Sequence, residues 1–147
     1  MSRHKTILIC AAAALLWAAP ARAANFEAQL DPAPFNATSR AIVIESGGQV
    51  TATLEGRTLS VRGTFSNLSS PATAASFRVG LAKGVLGDAI GGTLTVTPAT
   101  QGSVAGSIKL TSAQLAALNK QSLYIRIDSE KAPDGHLQGW LEPAGSN

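Results

Sequence analysis

The sequence predicts an all-β domain, an antiparallel Greek-key-like β-sandwich or barrel carrying one short helix. Three observations lead there. Apolar residues recur at every second position in segment after segment beyond Ala24, the period of a strand with one buried and one wetted face. Residues suited to turns, among them Gly47-Gly48, Gly56, Pro71, Gly91-Gly92, Pro98 and Pro133-Asp134-Gly135, separate these segments at fairly even intervals. Only one stretch carries helical spacing instead.

In chain order, Phe26, Ala28 and Leu30 alternate with Glu27 and Gln29 to make a first strand, and residues 32–36 read as an irregular loop. Residues 40–45 are a further strand candidate. Val50, Ala52 and Leu54 alternate with Thr51 and Thr53. In "TLSVRGTF", Leu59, Val61, Gly63 and Phe65 face one way and Thr58, Ser60, Arg62 and Thr64 the other. Residues 74–79, 92–97 and 104–110 supply further strands. "TSAQLAALNKQ" then places Leu115 and Leu118 at helical spacing behind Ser112 or Thr111, and Thr111 with Gln114 fits a capping box. Residues 123–128 and 136–141 close the domain as a hairpin, and residues 143–147 fray.

The first 23 residues read as a secretory signal peptide: Arg3, His4 and Lys5 precede an apolar run that ends at Ala21-Arg22-Ala23. That run is short for a membrane span. Residues 24–147 then form a single domain, secreted or periplasmic. Arg3, Lys5 and Arg22 account for the whole formal charge of +3, leaving nine basic and nine acidic side chains beyond them. A neutral chain without a basic stripe argues against nucleic acid as a partner. Cys10 leaves with the leader, so the mature chain has no disulfide, thiol nucleophile or cysteine-ligated metal.

Counting back from the turn at residues 129–135 sets Tyr124 opposite Trp140, Arg126 opposite Gln138 and Asp128 opposite His136. Leu123, Ile125 and Ile127 then share the other face with Leu137, Gly139 and Leu141, and a slip of one residue would expose them all. "LYIRIDSEKAPDGHLQGWL" resembles the closing motif of the CHRD (chordin-type) domain family, which runs roughly Tyr-Val-Asn-Val-His-Thr, a Pro-Gly loop, then Gly-Glu-Ile-Arg-Gly. "FEAQLDPAPFNATSRA" is similar to the family's opening strand and loop, "LSVRGTFSNLSSPATAASFRVGLAKGVLGDAI" to its central stretch and "LTSAQLAALNKQSLYI" to its helix-like segment. The resemblance covers nearly all of residues 26–142 and implies an all-β, Greek-key-like domain.

Departures from the family pattern bear on function. Where the family's central stretch reads Ala-His-Ile-His-x-Gly, this chain has Ser76 and Arg78, and Asp128 stands at the family's third histidine. If those histidines hold metal in other members, this chain lacks the imidazoles for it. The family's glutamate falls at His136, so the resemblance implies an exchanged pair, Asp128 opposite His136. His136 is then either a surface strand residue paired with Asp128, or a ligand-binding or pH-sensitive group. In the first case Asp128→Ala lowers its pKa.

Ser129 and Ser76 are the serines that a histidine nucleophile pair could use, but no Gly-x-Ser-x-Gly or Ser-x-x-Lys motif accompanies them. "DSEKAPDG" offers Asp128, Glu130 and Asp134 as oxygen ligands without the spacing of a calcium loop. Arg78 is either a solvated charge or a partner for a carboxylate such as Asp128. Tyr124, Arg126, Gln138 and Trp140 form the candidate binding patch, unless the aromatic pair is only cross-strand packing or lies under the N-terminal segment. The expectation is a non-enzymatic binding or structural module with no cofactor and no membrane span, whose partner is a protein or cell-envelope component. The alternative is a metal-binding or redox-linked periplasmic protein.

Overall fold

The structure is a computed structural model that describes residues 22–146, so the expected leader lies outside the described residues except for Arg22 and Ala23. In chain order the elements are β1 (Ala24–Pro32), α1 (Arg40–Val43), β2 (Gly47–Glu55), β3 (Thr58–Ser66), β4 (Ala72–Val79), β5 (Asp88–Ala89), β6 (Thr93–Val96), β7 (Gly102–Lys109), α2 (Ser112–Asn119), β8 (Leu123–Ser129), β9 (Leu137–Trp140) and β10 (Glu142–Pro143). The strands form one sheet in the order β5-β4-β8-β9-β1-β2-β3-β7-β6, with β10 against β1. Every pairing is antiparallel. The fold is all-β, as the alternation predicts.

Strand β1 is the seam of the sheet. Its residues 24–30 pair with β2, while Asp31 and Pro32 turn to pair with Gln138 and Leu137 of β9. The sheet therefore bends at β1 and curls into a half-barrel around one core. Phe26, Ala28 and Leu30 of β1, Val50 and Ala52 of β2, Leu59, Val61 and Phe65 of β3, and Val104 and Ile108 of β7 all point inward. From the other half come Phe77 of β4, Leu123, Ile125 and Ile127 of β8, and Leu137 of β9. The closeness of the two ends is recorded at Gly92, where a Cβ would lie 2.8 Å from Ile108 of β7 and 3.0 Å from Phe77 of β4.

The capping box reads as expected. Thr111 Oγ1 accepts from the Gln114 N–H at 3.2 Å, and Gln114 Oε1 accepts from the Thr111 N–H at 3.0 Å, which starts α2 and lets Leu118 enter the core. Three elements differ. The two-residue strands β5 and β10 are not among the expected ones, and Pro143 of β10 pairs with Phe26 instead of fraying. Residues 40–45 are not a strand but contain α1, so the described residues hold two short helices rather than one. Asn36 Oδ1 accepts from the backbone of Thr38 and Ser39, each at 2.9 Å, and Ser39 Oγ accepts from the Asn36 N–H at 3.0 Å. This Asx-type turn commits the chain to helical dihedrals before the β-branched run begins. Of α1, Val43 alone is buried.

Candidate functional site

The register of the last hairpin is the one that counting gives: Tyr124 opposite Trp140, Ile125 opposite Gly139, Arg126 opposite Gln138 and Ile127 opposite Leu137. The two aromatic rings stack with centroids 4.9 Å apart and an interplanar angle of 29°. They do not form an exposed patch, however. Tyr124 is only 1% exposed and Gln138 is 7% exposed.

The cover comes from residues 80–87, between β4 and β5. Tyr124 Oη accepts from the Gly87 N–H at 2.9 Å and donates to the Gly87 carbonyl at 3.1 Å. Arg78 Nη1 donates to the same carbonyl at 2.9 Å, and its Nε donates to Ser76 Oγ at 3.1 Å. Arg78 is thus neither a free surface charge nor the partner of a carboxylate. It ties the loop down over the tyrosine. Leu81, Val85 and Leu86 of that loop are exposed.

The expected pair of Asp128 and His136 is absent as well. Asp128 binds Arg126, two residues away on its own strand. Arg126 Nη2 donates to Asp128 Oδ2 at 3.2 Å, and Arg126 Nε lies 2.7 Å from Oδ1, an ionic contact poorly directed for a hydrogen bond. Burial raises the Asp128 carboxyl above its ordinary pKa, while the hydrogen bond and charge of Arg126, and then the charge of Arg78, pull it back.

His136 is fully buried rather than a surface residue. The physical reason is a bulge: the His136 N–H bonds the Ile127 carbonyl at 2.8 Å although Leu137 is the strand partner of Ile127, so two residues stand opposite one. The imidazole leaves the outer face and meets Ser129, with Nδ1 and Oγ 2.7 Å apart. Ser129 Oγ accepts from Ser70 Oγ at 3.0 Å and from the Ala132 N–H at 3.2 Å. With both lone pairs engaged, its proton is left for His136 Nδ1. This arrangement favours a neutral imidazole with its proton on Nε2, a buried atom with no partner among the described residues. Burial lowers the His136 pKa, which agrees with the neutral form.

This Ser-His contact is closed to solvent. Ser129 and His136 are each 0% exposed, and among the described residues no carboxylate is hydrogen-bonded to the imidazole, as a catalytic triad would require. Ser76, Arg78 and Asp128, the positions that match the family histidines, do converge, because β4 and β8 pair with Ser76 opposite Arg126, Arg78 opposite Tyr124 and Ala74 opposite Asp128. Two guanidinium groups share that strip, which opposes a cation. Among the described residues no three His, Cys, Asp or Glu side chains are grouped to hold a metal, Asp128, Glu130 and Asp134 included.

What remains open on this face is a groove of about 390 Å³ beside Trp140, lined also by Gln29, Asp31, Lys83, Gln138 and Glu142. Lys83 and Glu142 form an ion pair across one wall. Gln138 and Trp140 of the expected patch line this groove; Tyr124 and Arg126 do not. Sequence reading missed Gln29, Asp31, Lys83 and Glu142, which reach the groove only through the pairing of β1 with β9 and β10 and the return of the 80–87 loop. Ser70 was equally out of reach, 59 residues from Ser129.

A family model described as the CHRD domain matches residues 26–141. No curated protein matches the chain. No solved structure matches it either.

Proposed function

The chain belongs to the CHRD domain family, and from that premise we propose that it is an exported, non-enzymatic module that holds a protein or cell-envelope component against the outer face of its sheet. The observation that carries this reading is the enclosure of its one described histidine. A general base must reach a proton on a substrate, whereas His136 and Ser129 are sealed inside the hairpin and bonded to each other. The reactive-looking pair is accounted for as structure, and neither Ser129 nor His136 lines the open grooves over the strands of the sheet.

The leader-like residues 1–23 support export. No helix among the described residues is long and apolar enough to cross a membrane. The expected partners remain a protein or an envelope component, and the even balance of charge from Ala24 onward disfavours nucleic acid.

The test is saturable binding. The purified full chain, tagged at its C-terminus, should sediment with isolated cell envelopes and be displaced by excess untagged protein. Failure to sediment, or sedimentation that excess protein does not displace, would overturn the reading. Elemental analysis of protein prepared without chelators addresses the metal-binding or redox-linked alternative, since near-stoichiometric copper, zinc or iron would favour it.

A further inference from the structure

Resting on the reading of the chain as an envelope-binding module, we propose that the groove beside Trp140 is a binding site for a neutral oligosaccharide. Its floor is the outer face of β1 and β9, two strands whose backbones already pair with each other at Asp31–Gln138 and Pro32–Leu137. No free strand edge is offered there, so a peptide cannot bind by adding a strand. Recognition must come from side chains.

Those side chains have a definite chemistry. Gln29 and Gln138 each present an amide, which donates and accepts at once, as a sugar hydroxyl does. Asp31 presents a carboxylate at the surface, an acceptor with two oxygens that suits neighbouring hydroxyls. Trp140 and Pro32 supply apolar surface for the C–H face of a ring, the amphipathic contact for which tryptophan is well suited.

Charge narrows the choice further. The cation in the lining, Lys83, is paired with Glu142, so Asp31 leaves the groove with an unbalanced negative charge. Polyanions such as nucleic acid, acidic glycans and anionic lipid headgroups are therefore disfavoured, and a neutral hydroxyl-rich ligand is not. The volume of about 390 Å³ lies within the roughly 300–1,000 Å³ of small-ligand sites.

The groove is also held in shape before any ligand arrives. Gly139 lets the two floor strands approach so closely that a Cβ there would lie 2.3 Å from the Gln29 carbonyl oxygen. Trp140 is backed by the stacked and hydrogen-bonded Tyr124. Preorganisation of this kind favours a weakly binding ligand by sparing the cost of ordering the site.

The enclosed indole N–H of Trp140 is the reporter for a test. The full chain is titrated with cellohexaose, chitohexaose and maltohexaose, up to about 5 mM each, while the Trp140 indole resonance is followed by NMR and assigned with Trp140→Phe. At least one of the three should move that resonance saturably. Asp31→Asn and Gln29→Ala, both at exposed positions that leave the core intact, should each weaken that binding by about tenfold. Absence of any shift from all three sugars, or a shift that neither substitution weakens, overturns the assignment. Envelope sedimentation that persists undiminished in the double variant Asp31→Asn, Gln29→Ala also overturns it, while leaving the module reading intact.

Discussion

At the residue scale, His136 and Asp128 contribute in opposite directions to the protein's response to acid. The pKa of His136 is lowered by burial, so the unfolded chain, titrating near its ordinary value of about 6.5, takes up a proton more readily than the folded chain. Its contribution to stability is whole above that value and is lost as the pH falls from about 6.5 toward the folded pKa. Asp128 acts in the opposite sense, because its pKa is raised: stability recovers as the pH falls from its folded value toward the unfolded one. Thermal melts should therefore show a loss of stability as the pH falls below about 6.5, which Asp128 opposes at lower pH. Nitrogen NMR of the imidazole should find the proton on Nε2 at neutral pH and a midpoint below 6.5. Because His136 touches Ser129 and not Asp128, Asp128→Ala should leave that midpoint in place; a midpoint that falls would restore the pair expected from counting. Ser129→Ala strips His136 Nδ1, Ser70 and the Ala132 N–H of a common partner and should cost about 1–3 kcal/mol in urea denaturation.

At the element scale, the periods written into the chain were sound guides where one period fitted and poor guides where two did. The hairpin register followed from the alternation of residues 123–128 and 136–141, since only one register buries all the aliphatic side chains together. The start of α2 was legible from Thr111 and Gln114; Thr111→Ala should destabilise by about 1 kcal/mol, read as a lower denaturation midpoint at unchanged slope. Residues 40–45 misled because a β-branched run has no decisive period, and the turn built by Asn36 and Ser39 settles its conformation. The 80–87 loop is an element that no periodicity announces. Its anchor is the Tyr124 hydroxyl, so Tyr124→Phe should cost about 1–2 kcal/mol and speed amide exchange at Gly87. Exchange at Gly87 as slow as in the wild type would show that Arg78 alone holds the loop.

At the scale of the whole molecule, β1 joins the two halves of the sheet, and its contact with β9 depends on Gly139. Adding one methyl group, Gly139→Ala, forces the strands apart and should cost about 1–3 kcal/mol. Because both halves share one core, the loss should appear as a single cooperative transition at a lower midpoint; two separated transitions would mean that the halves fold independently. The position of the candidate groove follows from the same seam, since Gln29 and Asp31 come from β1 while Gln138 and Trp140 come from β9.

The sequence by itself determined where the long alternating strands run, which face of each is apolar, how the last hairpin pairs and where α2 begins. These are local patterns, repeated every two residues or spanning a single turn, and the hydrophobic effect acts on them directly. The tertiary structure alone decided the fate of the polar faces. Tyr124 is covered by a glycine 37 residues away, Ser129 is bonded to a serine 59 residues away, and one bulge turns His136 from the surface into the interior. Alternation assigns a side chain to a face, but whether water reaches that face depends on loops returning from distant parts of the chain, and such returns leave no period in the sequence.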